Sequence, residues 1–183
     1  MNVISAYVPQ VGLIESTKNQ FWEDLDSLVS IVPVSEKLLI GGDLNGHVGA
    51  TNIGFEQVHG GFGYDSKSQE GEDVLNFALA YDLLANTLFR KRESHHVTFH
   101  SGQHSSQIGF ILARREDRCA CLDCKVIPGE CVVPQHKLVP QHKLVVADFR
   151  LRVRVHRDKR AKIARTKWWK LEGKRHKRLR KGC

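Results

Sequence analysis

Apolar residues recur along the chain with two different periods, and each period marks a kind of element. Asn2 to Val8 (NVISAYV) alternates until Pro9, which has no backbone N–H to donate, so this run predicts a strand ending in a loop. Phe21, Trp22, Leu25, Leu28, Val29 and Val32 follow helical spacing, with Ser16 or Thr17 placed to cap the helix start. A helix with such a stripe buries it against a sheet. Lys37 to Ile40 predicts a short buried strand running into Gly41-Gly42-Asp43-Leu44-Asn45-Gly46, a turn rich in residues that tolerate unusual backbone angles. A polar, Gly-rich loop continues to Gly71, and Val74, Phe77, Ala78, Tyr81 and Leu84 then set a helical stripe over Asp73 to Leu84. Short strands are predicted at Asn86 to Phe89, Val97 to His100, Gln107 to Leu112, Cys124 to Ile127 and Leu144 to Val153. Strands outnumber helices and the two interleave, which predicts an α/β or α+β layered fold with mixed sheets.

Charge divides the chain where this pattern ends. Of the 183 residues, 1–149 hold 12 basic and 18 acidic side chains, whereas 150–183 hold 16 basic and 2 acidic. The expectation is one domain over 1–155 followed by a basic tail or linker over 156–183, and a polycation of this kind meets nucleic acid before anything else. Lys167, Trp168, Trp169 and Lys170 combine cations for phosphates with indoles that stack on bases. The alternative for this tail is a solvated linker. No apolar run is long enough to span a bilayer and the start lacks a signal peptide's character, so the expected setting is intracellular; the basic run fits either a nuclear signal or a linker. Five cysteines, an odd number, argue against a disulfide framework. Cys119, Cys121, Cys124 and Cys131, with His136 and His142 nearby, raise a zinc site, but their spacing is not a common paired-knuckle pattern, and Cys124-Lys-Val-Ile reads as a strand entering a turn at Pro128-Gly129.

Candidate chemistry centres on Asp43 and Asn45. Two residues apart in an extended segment, they share a face at the strand's end, where a carboxylate can deprotonate a water or hold a divalent cation and an amide can bind a phosphate oxygen. The same two residues also suit an Asx-rich turn that only satisfies local backbone groups. Further on, Pro134-Gln-His-Lys-Leu-Val139 is repeated at once as Pro140-Gln-His-Lys-Leu-Val145, which makes His136 and His142 duplicates. Six residues are too few for a solenoid repeat.

Taken in order, Asn2-Val-Ile-Ser-Ala-Tyr-Val-Pro9, Gly-Gly-Asp43-Leu-Asn45, Asn86-Thr87-x-Phe89, Ser106-Gln-Ile-Gly-Phe-Ile-Leu112 and Gln141-His142-Lys-Leu-Val resemble the endonuclease/exonuclease/phosphatase superfamily, the fold of DNase I. Within it the likeness is to endonuclease domains of non-LTR (LINE-type) retrotransposons and to craniofacial development protein 2-like proteins, whose phrasing is also seen in His59-Gly-Gly-Phe-Gly-Tyr64 and Lys167-Trp-Trp-Lys-Leu171. The resemblance covers about residues 2–172 and implies a DNase I-like four-layer sandwich, two mixed sheets flanked by helices. It implies a Mg2+-dependent phosphodiesterase acting on DNA. By resemblance Tyr7 contacts the scissile phosphate, Asp43 positions or activates the attacking water and ligates the metal, Asn45 assists it beside the phosphate, and His142 donates to the phosphoryl oxygen as charge builds.

Departures from the family pattern temper this. The pattern includes earlier strands carrying an Asn and a metal-binding Glu, and Glu15, Glu23 and Glu36 belong instead to the first helix and its flanks, so the expectation is an N-terminally truncated, catalytically impaired and self-associating domain. Gly109 stands where the family has the Asp that orients the histidine, and Gln141 precedes the histidine where many members have Asp. The rival reading is a non-enzymatic remnant, a basic nucleic-acid-binding or interaction module or one without function. A small-molecule or lipid phosphatase is the third, disfavoured because no lipid or inositol pocket is suggested.

Overall fold

The computed structural model describes residues 1–10, 12, 14–132 and 142–150. The opening alternation forms strand β1 (Asn2–Tyr7), which pairs in parallel with β2 (Leu38–Asp43) across helix α1 (Glu15–Ser30). Helix α2 (Gln69–Ala80), β3 (Leu83–Ala85), β4 (Phe99–Ser101), β5 (His104–Ser106), β6 (Gly109–Arg114), β7 (Cys121–Val132) and β8 (His142–Phe149) follow. They build two four-stranded sheets, a mixed one in the order β1-β2-β6-β3 and an antiparallel one in the order β5-β4-β8-β7.

One face of the mixed sheet carries the main core. Leu38 and Ile40 of β2, Phe110 and Leu112 of β6 and Leu83 of β3 pack on Leu25 and Val29 of α1 and on Val74, Leu75 and Ala78 of α2. Full burial of each large aliphatic side chain contributes about 1.5–3 kcal/mol. The other face meets the second sheet, where Leu84, Ile111 and Ala113 line one small apolar cavity with Cys124, Ala147 and Phe149. This is the expected two-sheet α/β sandwich. Both helices lie on the mixed sheet. Among the described residues no helix is long and apolar enough to cross a membrane.

Several element boundaries differ from the pattern's prediction for physical reasons. Strand β2 runs on through Gly41 and Gly42 to Asp43, and glycine permits this, since a Cβ at Gly42 would overlap the Ala6 carbonyl of the adjacent strand. Helix α1 starts at Glu15 with Ile14 as N-cap and no side-chain cap, so Ser16 and Thr17 lie inside its first turn. Helix α2 begins four residues early, with the Ser68 side chain accepting from the Gly71 N–H at 3.1 Å. It ends early as well: Asp82 has φ 51°, and Leu83 and Leu84, expected at the helix end, pair instead with Arg114 and Ala113. Asn86 to Leu88 is therefore a 3-10 turn rather than a strand. Pro128-Gly129 is no terminal turn; β7 passes through it with a register shift between Ile127 and Cys131, a bulge of the kind that accommodates a residue lacking an N–H.

Candidate active site

Strand register sets the site. Tyr7 of β1 aligns with Asp43 of β2, and Asp43 aligns with Gly109 of β6, so the three form one row across the mixed sheet. Asp43 is the last residue of its strand, and the chain then turns sharply through Asn45 at φ 47°. That left-handed angle is one Asn tolerates better than most residues. The turn is locked twice: Asp43 Oδ1 accepts from the Asn45 backbone N–H at 3.1 Å, and Asn45 Nδ2 donates to the Val8 carbonyl at 2.6 Å. The Asx-turn reading of this segment thus holds, and the Asp43 carboxylate keeps its second oxygen free of that bond.

The second sheet supplies the partner. His142 opens β8 opposite Phe99 of β4, whose ring lies 4.9 Å from the imidazole, centroid to centroid. The imidazole Nδ1 sits 3.6 Å from Asp43 Oδ2, within ion-pair range when the histidine is protonated though longer than a hydrogen bond. A cleft of about 320 Å³ opens there between the sheets, lined by Gly41, Asp43, Thr98, Gly109, Ile111 and His142 among others. Burial raises the Asp43 carboxyl above its ordinary value, and the Asn45 N–H and the nearby His142 oppose that rise without cancelling it.

The structure therefore brings Asp43 and His142 together and sets Tyr7 beside Asp43 in the row, exposed, its hydroxyl accepting from Gln10 Nε2 at 3.1 Å. One amide hydrogen of Asn45 is committed to Val8. His136, Lys167, Trp168, Trp169 and Lys170 lie outside the described residues, as do the side chain of Cys131 and the whole basic tail. Thr98 and Phe99 escape a reading by sequence pattern; the faint signal is a threonine, buried in the structure, within a strand of otherwise apolar and aromatic character.

Among the described residues no three or more His, Cys, Asp or Glu side chains converge as a metal cluster. Of the zinc candidates, Cys124 has its thiol pushed up to about 12 by burial and Cys121 has its raised, which disfavours their thiolates. Within the cleft, Asp43 is the carboxylate among the lining residues. That donor suits a Mg2+ carried chiefly by water and substrate phosphate, the usual mode for this ion, and does not suit a permanently held one.

No family model matches the chain. Two curated relatives are similar to it, craniofacial development protein 2 of Bos taurus and of Tragulus javanicus, each 31% identical over 159 residues and 85% of this chain. These residues make up 25% and 26% of the two relatives, so the chain spans about a quarter of their length. Among solved structures, an AP endonuclease from Archaeoglobus fulgidus superposes with a TM-score of 0.52 over 81% of this chain and 61% of its own, at 19% identity. The endonuclease domain of TRAS1, a telomere-specific non-LTR retrotransposon, gives 0.48 over 74% and 52%, at 12% identity.

Proposed function

We propose that this chain, whose fold is that of the DNase I-like endonucleases, is a phosphodiester-cleaving nuclease domain of retrotransposon type acting on DNA, with a weakened catalytic centre. The observation that carries the reading is the approach of His142 Nδ1 to Asp43 Oδ2, 3.6 Å apart at an open cleft between the two sheets. A half-buried carboxyl whose proton affinity is raised accepts a proton from water more readily than an ordinary one, which suits Asp43 to the base role. His142, facing the same cleft, is placed to donate to a phosphoryl oxygen as negative charge develops. Tyr7, exposed one strand away, offers a phenolic donor to the phosphate, and Asn45 keeps Asp43 aimed through its backbone N–H. Asp43 is the residue that would hold a Mg2+ arriving with the substrate, and the ion would supply Lewis-acid polarisation of the phosphoryl oxygens.

Weakening follows from Gly109, which sits opposite Asp43 with no side chain, so Asp43 must serve both the water and the imidazole. The same feature supports a second reading, a domain that binds nucleic acid without cutting it. Self-association through β1 belongs to the proposal, because that strand closes one edge of the described mixed sheet and exposes Val3 and Tyr7.

Nicking of supercoiled plasmid by the full chain separates these readings. Mg2+-dependent nicking that falls at least about 100-fold in both Asp43→Ala and His142→Ala is the expected result. No Mg2+-dependent nicking by the unmodified chain, or nicking that survives both substitutions, overturns the nuclease reading.

A further inference from the structure

Asp43 and His142 stand on different sheets, so their separation is only as good as whatever ties the sheets together at this end. Thr98, on the approach to β4 and only 3% exposed, makes bonds in both directions. Its backbone carbonyl accepts from the Lys143 N–H at 2.8 Å, directly after His142. Its hydroxyl oxygen accepts from the Ile108 N–H and from the Gly109 N–H, each at 2.9 Å. Ile108 in turn accepts through its carbonyl from the Leu44 N–H at 2.8 Å, directly after Asp43. An unbroken chain of bonds thus runs from His142 through Thr98 to Asp43.

The local sequence explains why a hydroxyl is needed there. Strand β3 stops at Ala85 opposite Leu112, so the first residues of β6 pass beyond its ladder and their N–H groups need another acceptor. Gly109 leaves the room: a Cβ built on it would lie 3.3 Å from both Cβ and Cγ2 of Thr98, so the threonine occupies space a side chain at 109 would claim.

We propose that Thr98 is a positioning residue for this site, holding the sheet of His142 against the strand end opposite Asp43 through its hydroxyl. The inference rests on the nuclease reading for its activity measurement alone. Thr98→Val keeps the shape and removes the acceptor, while Thr98→Ser keeps the acceptor. In the full chain, the His142 ring signals, identified among the 10 histidines by their loss in His142→Ala, are expected to move in the Val variant and stay in place in the Ser variant. Amide exchange at Ile108 and Gly109 is expected to quicken in Val alone. Nicking is expected to lose about 100-fold in kcat with little change in KM in Val, and to be largely retained in Ser. Unmoved ring signals and amide exchange in Val, or equal disturbance in Ser, overturn the proposal. If the unmodified chain does not nick, the nuclease reading fails while ring signals and exchange still decide the role of Thr98. Should Thr98→Val not fold, Thr98→Ala, which also removes the hydroxyl acceptor, takes its place with the same readouts: moved His142 signals with quickened exchange at Ile108 and Gly109 support the role and unmoved ones overturn it.

Discussion

Asp43 is held in a conflict between burial, which favours its neutral form, and the Asn45 N–H and His142, which favour its charge. Its raised proton affinity means that the folded chain binds a proton there more tightly than the unfolded chain. Stability from this group is therefore greatest below the ordinary carboxyl value of 3.8 and falls as pH rises through the higher folded value. Asp43→Asn removes that dependence, so denaturant unfolding is expected to show the variant gaining on the unmodified chain from about pH 4 towards neutrality. A constant difference over that range would show that burial does not govern this carboxyl. Asp43 was legible from its place after an apolar strand, and His142 from its motif, but the sequence offered two histidines of identical context. Of the two, His142 is the one among the described residues, where strand pairing seats it opposite Phe99.

Helix α2 shows how an element can be recognised and still be misplaced. Its stripe of Val74, Phe77 and Ala78 is plain in the sequence, yet its first turn is polar and contains Gly71, which local propensity reads as loop. Tertiary contact reverses that reading: a Cβ at Gly71 would overlap the His47 carbonyl, so glycine is what lets the helix start approach the loop after the site. Ser68 secures the approach, accepting from the N–H groups of both Gly71 and His47, the latter at 3.2 Å. Ser68→Ala is expected to cost about 1–2 kcal/mol by chemical denaturation, and Gly71→Ala more, despite alanine's higher helix propensity. A stabilising Gly71→Ala would mean that the loop and helix are not packed in this way. Pro128-Gly129 makes the complementary point, since residues that read as a stop act within β7 as a bulge once β8 lies beside them.

At the scale of the whole molecule, charge and exposed edge govern behaviour. Val3, 66% exposed on β1, lies at an edge of the mixed sheet formed by the described residues, and an edge of this kind invites another strand. Light scattering is expected to show self-association that Val3→Lys reduces, and a monomeric unmodified chain would remove the idea. With 16 of its 28 basic residues in 150–183, the chain is expected to bind DNA with an affinity that falls steeply with salt, as titrations at several salt concentrations would show. Salt-independent binding would assign recognition to something other than phosphate contacts. By itself the sequence determined the kinds and order of most elements, the polar turn at Asp43 and the division of charge, because periodicity, turn chemistry and composition are local properties. Tertiary structure alone decided the row of Tyr7, Asp43 and Gly109, the meeting of Asp43 with His142 and the bridging of the two by Thr98. Those depend on which strands pair and in what register, and on the room a missing side chain leaves across a sheet, which no stretch of the chain specifies on its own.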